Sequence, residues 1–196
     1  DVAEDLLDAF APPEWWDIEE LHRARKIGTR ETMVRQFALL RGKEADLLRY
    51  VDEHVRIDGT FPSFIEYCRR RGISLEIVSE GLDFYLRFLL DKWKLAVPVR
   101  TNVARFRGDR LTISYPFADP TCDLCGTCKL SRLFELRTQG FRIAYVGDGH
   151  SDLCPAVEAD DVFAKGELAN LCRAEEIAFS PFETFADVQR EMEEWP

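Results

Sequence analysis

The stretch YVGDGHSD, residues 145–152, places two carboxylates directly after an apolar run. Residues 141–146 (FRIAYV) have the composition of a short buried strand, and residues 152–159 predict a helix. Asp148 therefore follows the end of a strand, and Asp152 lies one helical turn further on. Two carboxylates at a strand end suit Mg²⁺, which prefers oxygen ligands. The alternative is structural, with a side chain of this stretch capping the helix.

Strand and helix patterns alternate around this stretch, through the C-terminal two thirds of the chain. A strand is predicted at 73–78 and a β-hairpin around the turn 107–110, followed by helices and short strands. This alternation indicates a Rossmann-like α/β fold with a doubly wound parallel sheet. Residues before this region show helical patterns only. We predict a helical cap domain at 1–60 and an α/β core domain at 61–196, with a hairpin and cysteine-rich insertion at 99–128.

Two further polar positions fall at the carboxyl-end edge of the predicted sheet, where open α/β folds bind ligands. Ser79 follows the strand 73–78 and leads through Glu80 and Gly81 into a helix, so its hydroxyl and nearby backbone N–H groups can hold an anion. Lys129 starts a helix, where a cation opposes the helix dipole unless an anion is bound. Taken singly, these residues are also explained as a helix cap and a solvated lysine. Together with the two carboxylates, they predict a phosphate site.

The order of these motifs resembles that of the haloacid-dehalogenase-like phosphatases. Ser79, Lys129 and GDGHSD match motifs II, III and IV, and the preceding helices match the cap of the phosphoserine-phosphatase-like branch. A receiver domain uses similar side chains, but its acidic pair precedes its lysine. Four stretches resemble, more narrowly, the methionine-salvage phosphatases of 2-hydroxy-3-keto-5-methylthiopentenyl-1-phosphate: FAPPEWW at 10–16, VSEGLDFYL at 78–86, CDLCGTCK at 122–129 and VFAKGEL at 162–168.

The resemblance, which covers essentially the whole chain, implies a Mg²⁺-dependent phosphatase that acts on a small phosphomonoester through an aspartyl-phosphate. It implies that Asp148 helps to hold Mg²⁺ and that Asp152 supports the metal site, through a water or by holding Lys129. Ser79 and the N–H groups of the next two residues would hold the phosphoryl group. Lys129 would steady the nucleophile and the transition-state charge. The methionine-salvage enol-phosphate is the leading substrate, and phosphoserine is the alternative.

The first motif of that family, DxDGT, does not occur in the sequence. Asp58-Gly59-Thr60 is the nearest string, but Arg56 stands where the nucleophilic aspartate belongs and no strand precedes it. The family pattern would place the motif, on a central strand of the sheet, immediately upstream of Asp1. We expect the natural protein to have this strand, and we expect the 196-residue chain alone not to hydrolyse a phosphomonoester. If the chain is complete, the alternative is a phosphatase-like binding or regulatory protein.

Three of the six cysteines form a compact run, Cys122, Cys125 and Cys128. They could bind Zn²⁺ with Cys154 or His150 as a fourth ligand, take part in redox chemistry, or only pack beside the site. The scatter of the other cysteines favours a reduced, cytoplasmic setting over a disulfide framework.

The net charge of −10 argues against a general nucleic-acid or anionic-membrane binder, which needs a basic face. A small phosphorylated metabolite, with Mg²⁺ as cofactor, remains compatible with this charge. In the predicted cap, Trp15, Trp16, Arg30 and Met33 are the candidates to face the substrate, and cap core or surface is the alternative for each.

Overall fold

Residues 1–195 are described here from a computed structural model of the chain. The helices are α1 (Val2–Phe10), α2 (Trp15–Arg23), α3 (Thr29–Leu39), α4 (Glu44–His54), α5 (Phe61–Arg71), α6 (Asp83–Lys92), α7 (Lys129–Thr138), α8 (Leu153–Glu158), α9 (Gly166–Ala174) and α10 (Phe185–Glu193). The strands are β1 (Ile77–Leu82), β2 (Val99–Arg107), β3 (Arg110–Ser114), β4 (Ala144–Gly147), β5 (Asp161–Ala164) and β6 (Ser180–Pro181). No helix of this part of the chain is both long and apolar enough to cross a bilayer.

The chain forms two compact units that interleave along the sequence. Unit 1 contains residues 1–57 and 76–127, and unit 2 contains residues from 58–75 and from 128 onward. The predicted division at residue 60 does not coincide with these units, because the strands of residues 76–127 pack with the N-terminal helices. The cap and core domains therefore stay a prediction.

Unit 1 packs α1 to α4 and α6 with one sheet around a single hydrophobic cluster. Leu6, Trp15, Phe37 and Leu47 come from four different helices and are at most 2% exposed. In the sheet, β1 is parallel to β2, and β2 is antiparallel to β3. The predicted hairpin is confirmed, with its turn at residues 108–109.

Unit 2 is built on three parallel strands in the order β4-β5-β6. Phe163 and Ala164 of β5 are buried, and they pack in two separate hydrophobic clusters. The predicted strand at 141–146 is shorter and later in the structure, since β4 begins at Ala144. Strand β6 was not predicted, because a strand of two residues is too short to show the alternation of apolar and polar side chains.

The predicted α/β fold with parallel strand pairing is confirmed, but its strands belong to two three-stranded sheets. Within residues 1–195, β1 pairs only with β2 and β4 pairs only with β5. Each of these two strands therefore has one open edge, where backbone N–H and C=O groups lack a strand partner.

Candidate active site

The acidic loop, residues 147–152, is closed by its own last carboxylate. Oδ2 of Asp152 accepts hydrogen bonds from the backbone N–H groups of Asp148, at 3.0 Å, and Gly149, at 2.9 Å. Asp152 is 5% exposed, so these bonds satisfy the backbone N–H groups of the turn where little water can reach them. A Cβ on Gly147 would lie 2.7 Å from Cγ of Asp152, which excludes any larger residue. The spacing of this motif thus has a local structural cause.

Lys129, the first residue of α7, is held by the other oxygen of the same carboxylate. Its Nζ donates to Oδ1 of Asp152 at 2.5 Å and to Oγ of Ser151 at 2.9 Å. The hydroxyl of Tyr145 donates to the same Oδ1 at 2.6 Å. An ammonium group has three donors, so these two bonds leave one N–H of Lys129 for a ligand.

The charge of Asp152 is stabilised in spite of its burial. Burial alone would raise the pKa of this carboxyl. The positive charge of Lys129 and the hydrogen bonds from Tyr145 and Gly149 outweigh burial and hold the pKa below its ordinary value. Asp152 is therefore ionised at neutral pH and forms a neutralised pair with Lys129.

Asp148 differs from Asp152, because its backbone is fixed while its side chain is free. Its carbonyl accepts a hydrogen bond from the N–H of Leu168 at 3.1 Å, and Gly166, with φ of +55°, packs against that carbonyl. Its carboxylate is exposed and contacts no hydrogen-bond or ion-pair partner among residues 1–195. Sequence reasoning missed the contribution of Gly166, although its closeness to the predicted strand end was a signal.

These differences decide which carboxylate fits a metal ion. Asp148 offers free oxygens on a fixed backbone, whereas all four donors around Asp152 would compete with a direct metal bond. In the described part of the chain, no three His, Cys, Asp or Glu side chains are gathered so as to hold a metal. A Mg²⁺ ion at Asp148 would take its other ligands from water, phosphate or further residues, which agrees with its habit of keeping several waters.

The predicted anion site at Ser79 is a β-bulge, not a strand end. Strand β1 pairs Ser79 with Thr101 and then Leu82 with Asn102, so the two residues between them are extra. We call residues 79–81 the serine bulge. The predicted strand at 73–78 lies later in the structure, because β1 begins at Ile77 and continues through the bulge to Leu82, and the predicted helix follows it as α6.

The backbone of the serine bulge is already partly satisfied. The N–H of Gly81 donates to Oγ of Ser79 at 3.0 Å, so this N–H is not free as predicted. A Cβ on Gly81 would lie 2.5 Å from Oη of Tyr85, so the close packing requires glycine. The serine bulge therefore presents a hydroxyl whose oxygen accepts from its own turn.

Three buried residues that sequence reasoning missed hold the serine bulge in place. Thr101 donates to the carbonyl of Gly81 at 2.7 Å, and Asn102 donates to the carbonyl of Glu80 at 2.6 Å. Thr127 donates to Oδ1 of Asn102 at 3.0 Å. Two adjacent uncharged polar residues within β2, Thr101 and Asn102, were the signal that could have found them.

The cysteines have local roles in this structure. All six are free thiols. Sγ of Cys128 caps α7 by accepting from the N–H of Ser131 at 3.4 Å. The carbonyls of Cys122 and Cys125 accept hydrogen bonds from Arg30. Since no metal-holding group occurs among residues 1–195, the structure gives the zinc alternative no support.

Three of the four predicted substrate-facing residues of the cap have other partners. Trp15 and Met33 are buried, and Sδ of Met33 accepts from Asn102 at 3.3 Å. Arg30 is held by carbonyls of residues 122–125. Trp16 stacks on Trp15 but remains 42% exposed, so it alone among the four presents a large surface.

Comparison with known proteins places this arrangement in a family. The profile of the haloacid dehalogenase-like hydrolases matches residues 3–156. The chain belongs to the haloacid dehalogenase-like hydrolase family. The 2-hydroxy-3-keto-5-methylthiopentenyl-1-phosphate phosphatase of Brevibacillus brevis is 37% identical over 94% of this chain and 85% of its own length. The enzyme of that name from Geobacillus kaustophilus is 33% identical over 93% and 84%.

Solved structures agree with the family at the level of the fold. A phosphoserine phosphatase from T. onnurineus matches with a TM-score of 0.66 and 17% identity, over 92% of this chain and 80% of its own. The fold and the hydrolase class that the motif order implied are therefore confirmed. The likeness to phosphoserine phosphatase concerns the fold alone and does not favour phosphoserine as the substrate.

Proposed function

We propose that the protein is a Mg²⁺-dependent phosphatase of a small phosphomonoester. The observation that carries the proposal is the acidic loop, in which a free carboxylate, Asp148, lies beside the neutralised pair of Lys129 and Asp152. A metal ligand and a cation with a spare donor are the two groups that phosphoryl transfer needs most. Membership in a hydrolase family supports this chemistry.

Each residue has one task in this proposal. Asp148 would hold Mg²⁺, which would offset the charge of the phosphoryl oxygens when bound. Lys129 would donate its third N–H to a phosphoryl oxygen or to the nucleophile. Asp152 orients Lys129 and offsets its charge, and it fixes the acidic loop. The hydroxyl of Ser79 would donate to the phosphoryl group, since its oxygen already accepts from Gly81.

The nucleophile in this proposal is an aspartate of the kind that opens the family motif DxDGT, which does not occur in residues 1–196. Its attack on phosphorus would form an aspartyl-phosphate, which water then hydrolyses. The open edge of β4, next to the acidic loop, supports the proposal, because a strand that carries such an aspartate could pair there and satisfy its backbone groups.

We propose 2-hydroxy-3-keto-5-methylthiopentenyl-1-phosphate as the substrate. The relatives that carry this name are 37% and 33% identical over nearly the whole chain, which is closer than the phosphoserine phosphatase structure. This substrate would place the protein in methionine salvage, in the cytoplasm, with a small phosphorylated metabolite as its partner.

The test is a phosphatase assay on the full-length natural protein. The panel contains the proposed substrate, phosphoserine and p-nitrophenyl phosphate, with Mg²⁺ or with EDTA. We expect Mg²⁺-dependent hydrolysis, with the highest kcat/KM for the proposed substrate. Hydrolysis that persists in EDTA, or no hydrolysis of any phosphomonoester, would overturn the proposal.

A further inference from the structure

Within unit 1, the cysteine loop, residues 122–127, is held by helix α3. Nε and Nη2 of Arg30 donate to the carbonyl of Cys125 at 3.0 and 2.8 Å, and Nη2 also donates to the carbonyl of Cys122 at 3.0 Å. The backbone N–H of Arg30 donates to the carbonyl of Leu124 at 2.9 Å. One residue thus satisfies three carbonyls of a loop that has no regular structure of its own.

The same loop is held from the serine bulge by Glu80. Oε2 of Glu80 accepts from the backbone N–H groups of Gly126 at 3.0 Å and Thr127 at 3.1 Å. A Cβ on Gly126 would lie 2.6 Å from Oδ1 of Asn102, so the loop backbone passes close to β2. The residue next to Ser79 therefore fixes the chain two positions before α7 begins.

Holding the loop through the Glu80 carboxylate lowers the stability of the fold. Its Oε1 is buried and has no hydrogen-bond partner among residues 1–195, and no cation in that part of the chain forms an ion pair with it. A buried carboxylate oxygen without a partner reduces stability. A neutral side chain such as glutamine could accept from the loop at a smaller cost. The position of Glu80 thus points to a role other than stability.

We propose that Glu80 and Arg30 are positioning residues, which hold the cysteine loop against the serine bulge and thereby fix the orientation of Ser79. The inference rests on the proposed phosphatase function. Ser79 is the covalent neighbour of Glu80, whose carboxylate binds the loop. Release of the loop at either end would leave Ser79 less well oriented, and misorientation lowers the rate at saturating substrate.

The loop carries its own reporters, because Cys122 and Cys125 are half-buried thiols. Alkylation by iodoacetamide, followed by mass spectrometry, gives their reaction rates relative to the exposed Cys154. We expect both rates to rise about tenfold in Glu80→Ala and in Arg30→Ala, since each loses the bonds that hold the loop closed. This readout does not need an active enzyme.

Kinetics on the full-length natural protein provide the second readout. We expect kcat to fall about tenfold in each variant, with KM changed less than threefold. In the double variant kcat should fall hardly further than in the worse single one, because both residues act through the same loop. Independent roles would instead multiply the two losses, and that result would overturn the proposal.

Glu76→Ala is the matched control. Glu76 precedes the first residue of the serine bulge by three positions, and its carboxylate pairs with Arg100 at 3.0 Å. Its variant should lower the melting temperature without changing thiol rates or kcat. Should Glu80→Ala not fold, Glu80→Gln takes its place, with a smaller rise in both thiol rates.

Unchanged thiol rates in the Glu80 and Arg30 variants would overturn the positioning role. A wild-type protein that hydrolyses no phosphomonoester would overturn the proposed function, while the thiol rates would still show whether these residues hold the loop.

Discussion

The acidic loop and the serine bulge both depend on a carboxylate, buried in Asp152 and partly buried in Glu80, but the two carboxylates are satisfied in different ways. Asp152 accepts from a cation, a hydroxyl and two backbone N–H groups, and most of these partners are within seven residues. Among residues 1–195, Glu80 has no cationic partner, its partners lie 22, 46 and 47 residues away, and one of its oxygens has none. The acidic loop is built mostly from local contacts, and the serine bulge is assembled from distant parts of unit 1.

This difference predicts how substitutions in the acidic loop and in the serine bulge should act. The acidic loop combines charge neutralisation with short-range hydrogen bonds, so it can form as soon as β4 and α7 are in place. The serine bulge requires β2, the cysteine loop and α3 to be folded together. A change in the acidic loop should therefore affect chemistry first, whereas a change around the serine bulge should act through loop order.

The largest effect is expected for Asp148→Asn. The amide oxygen carries no charge and binds Mg²⁺ more weakly than a carboxylate, so kcat/KM should fall about 1,000-fold. The free energy of unfolding should change by less than about 0.5 kcal/mol, because the side chain is exposed and has no partner in residues 1–195. Steady-state kinetics and urea denaturation measure the two quantities.

The control is Glu175→Gln, which neutralises an exposed carboxylate at the end of α9. It should match the wild-type protein in both measurements. Full activity of Asp148→Asn at every Mg²⁺ concentration would show that Asp148 is not a metal ligand.

Asp152→Asn should be the next largest change, and it should affect both activity and stability. It leaves the ammonium of Lys129, 11% exposed, without its counter-charge. We expect a loss of about 3 kcal/mol in the free energy of unfolding and about 100-fold in kcat.

Adding Lys129→Met to Asp152→Asn should recover part of that stability but none of the activity, because the unpaired buried charge is then removed. Urea denaturation of the three proteins provides the comparison. If Asp152→Asn were as stable as the wild-type protein, the pair of Lys129 and Asp152 would not stabilise the acidic loop.

The contrast between the acidic loop and the serine bulge also explains what the sequence could predict. The acidic loop is encoded within eight residues, and Asp148, Asp152 and the helix start at Lys129 all lie where pattern and motif order placed them. The buried state of Asp152 was not predictable, since nothing in the spacing shows that Lys129 and Tyr145 share its Oδ1.

The serine bulge was predicted less well, for a physical reason. A bulge leaves no period in the sequence, and Thr101, Asn102 and Thr127 reach it only through strand pairing and loop closure. The parallel pairing of strands was predictable from the alternation of patterns. The grouping of residues 76–127 with the N-terminal helices depends on tertiary packing, which single-sequence patterns do not contain.

A smaller effect is expected for Gly81→Ala, which tests the packing of the serine bulge. The new methyl group would meet Oη of Tyr85 at 2.5 Å, so the bulge must shift. We expect a loss of about tenfold in kcat/KM and about 1 to 2 kcal/mol in stability.

Tyr85→Phe removes the oxygen that the methyl group meets, and it provides a matched rescue. The double variant Gly81→Ala/Tyr85→Phe should recover at least part of both losses, measured by the same assays. No recovery would mean that the contact with Tyr85 is not what requires glycine at position 81.

The smallest effect concerns another buried carboxylate, that of Glu19 in α2. It tests whether cationic neighbours alone make a buried carboxylate stabilising. Burial would raise its pKa, but hydrogen bonds from His22, Arg23 and Gln36 lower it to about 2. Because the folded pKa lies below the ordinary value of 4.5, Glu19 stabilises the fold above that pH, and the contribution is lost as pH falls towards 2.

Glu19→Gln should therefore be less stable than the wild-type protein by about 2 kcal/mol at pH 7. The gap should shrink between pH 4.5 and pH 3, in urea denaturation at several pH values. Glu20→Gln, on the exposed side of the same helix, should show no gap at any pH. A gap that stays constant down to pH 3 would mean that Glu19 acts through its shape and hydrogen bonds and not through its charge, which would separate it from Asp152 and liken it to Glu80.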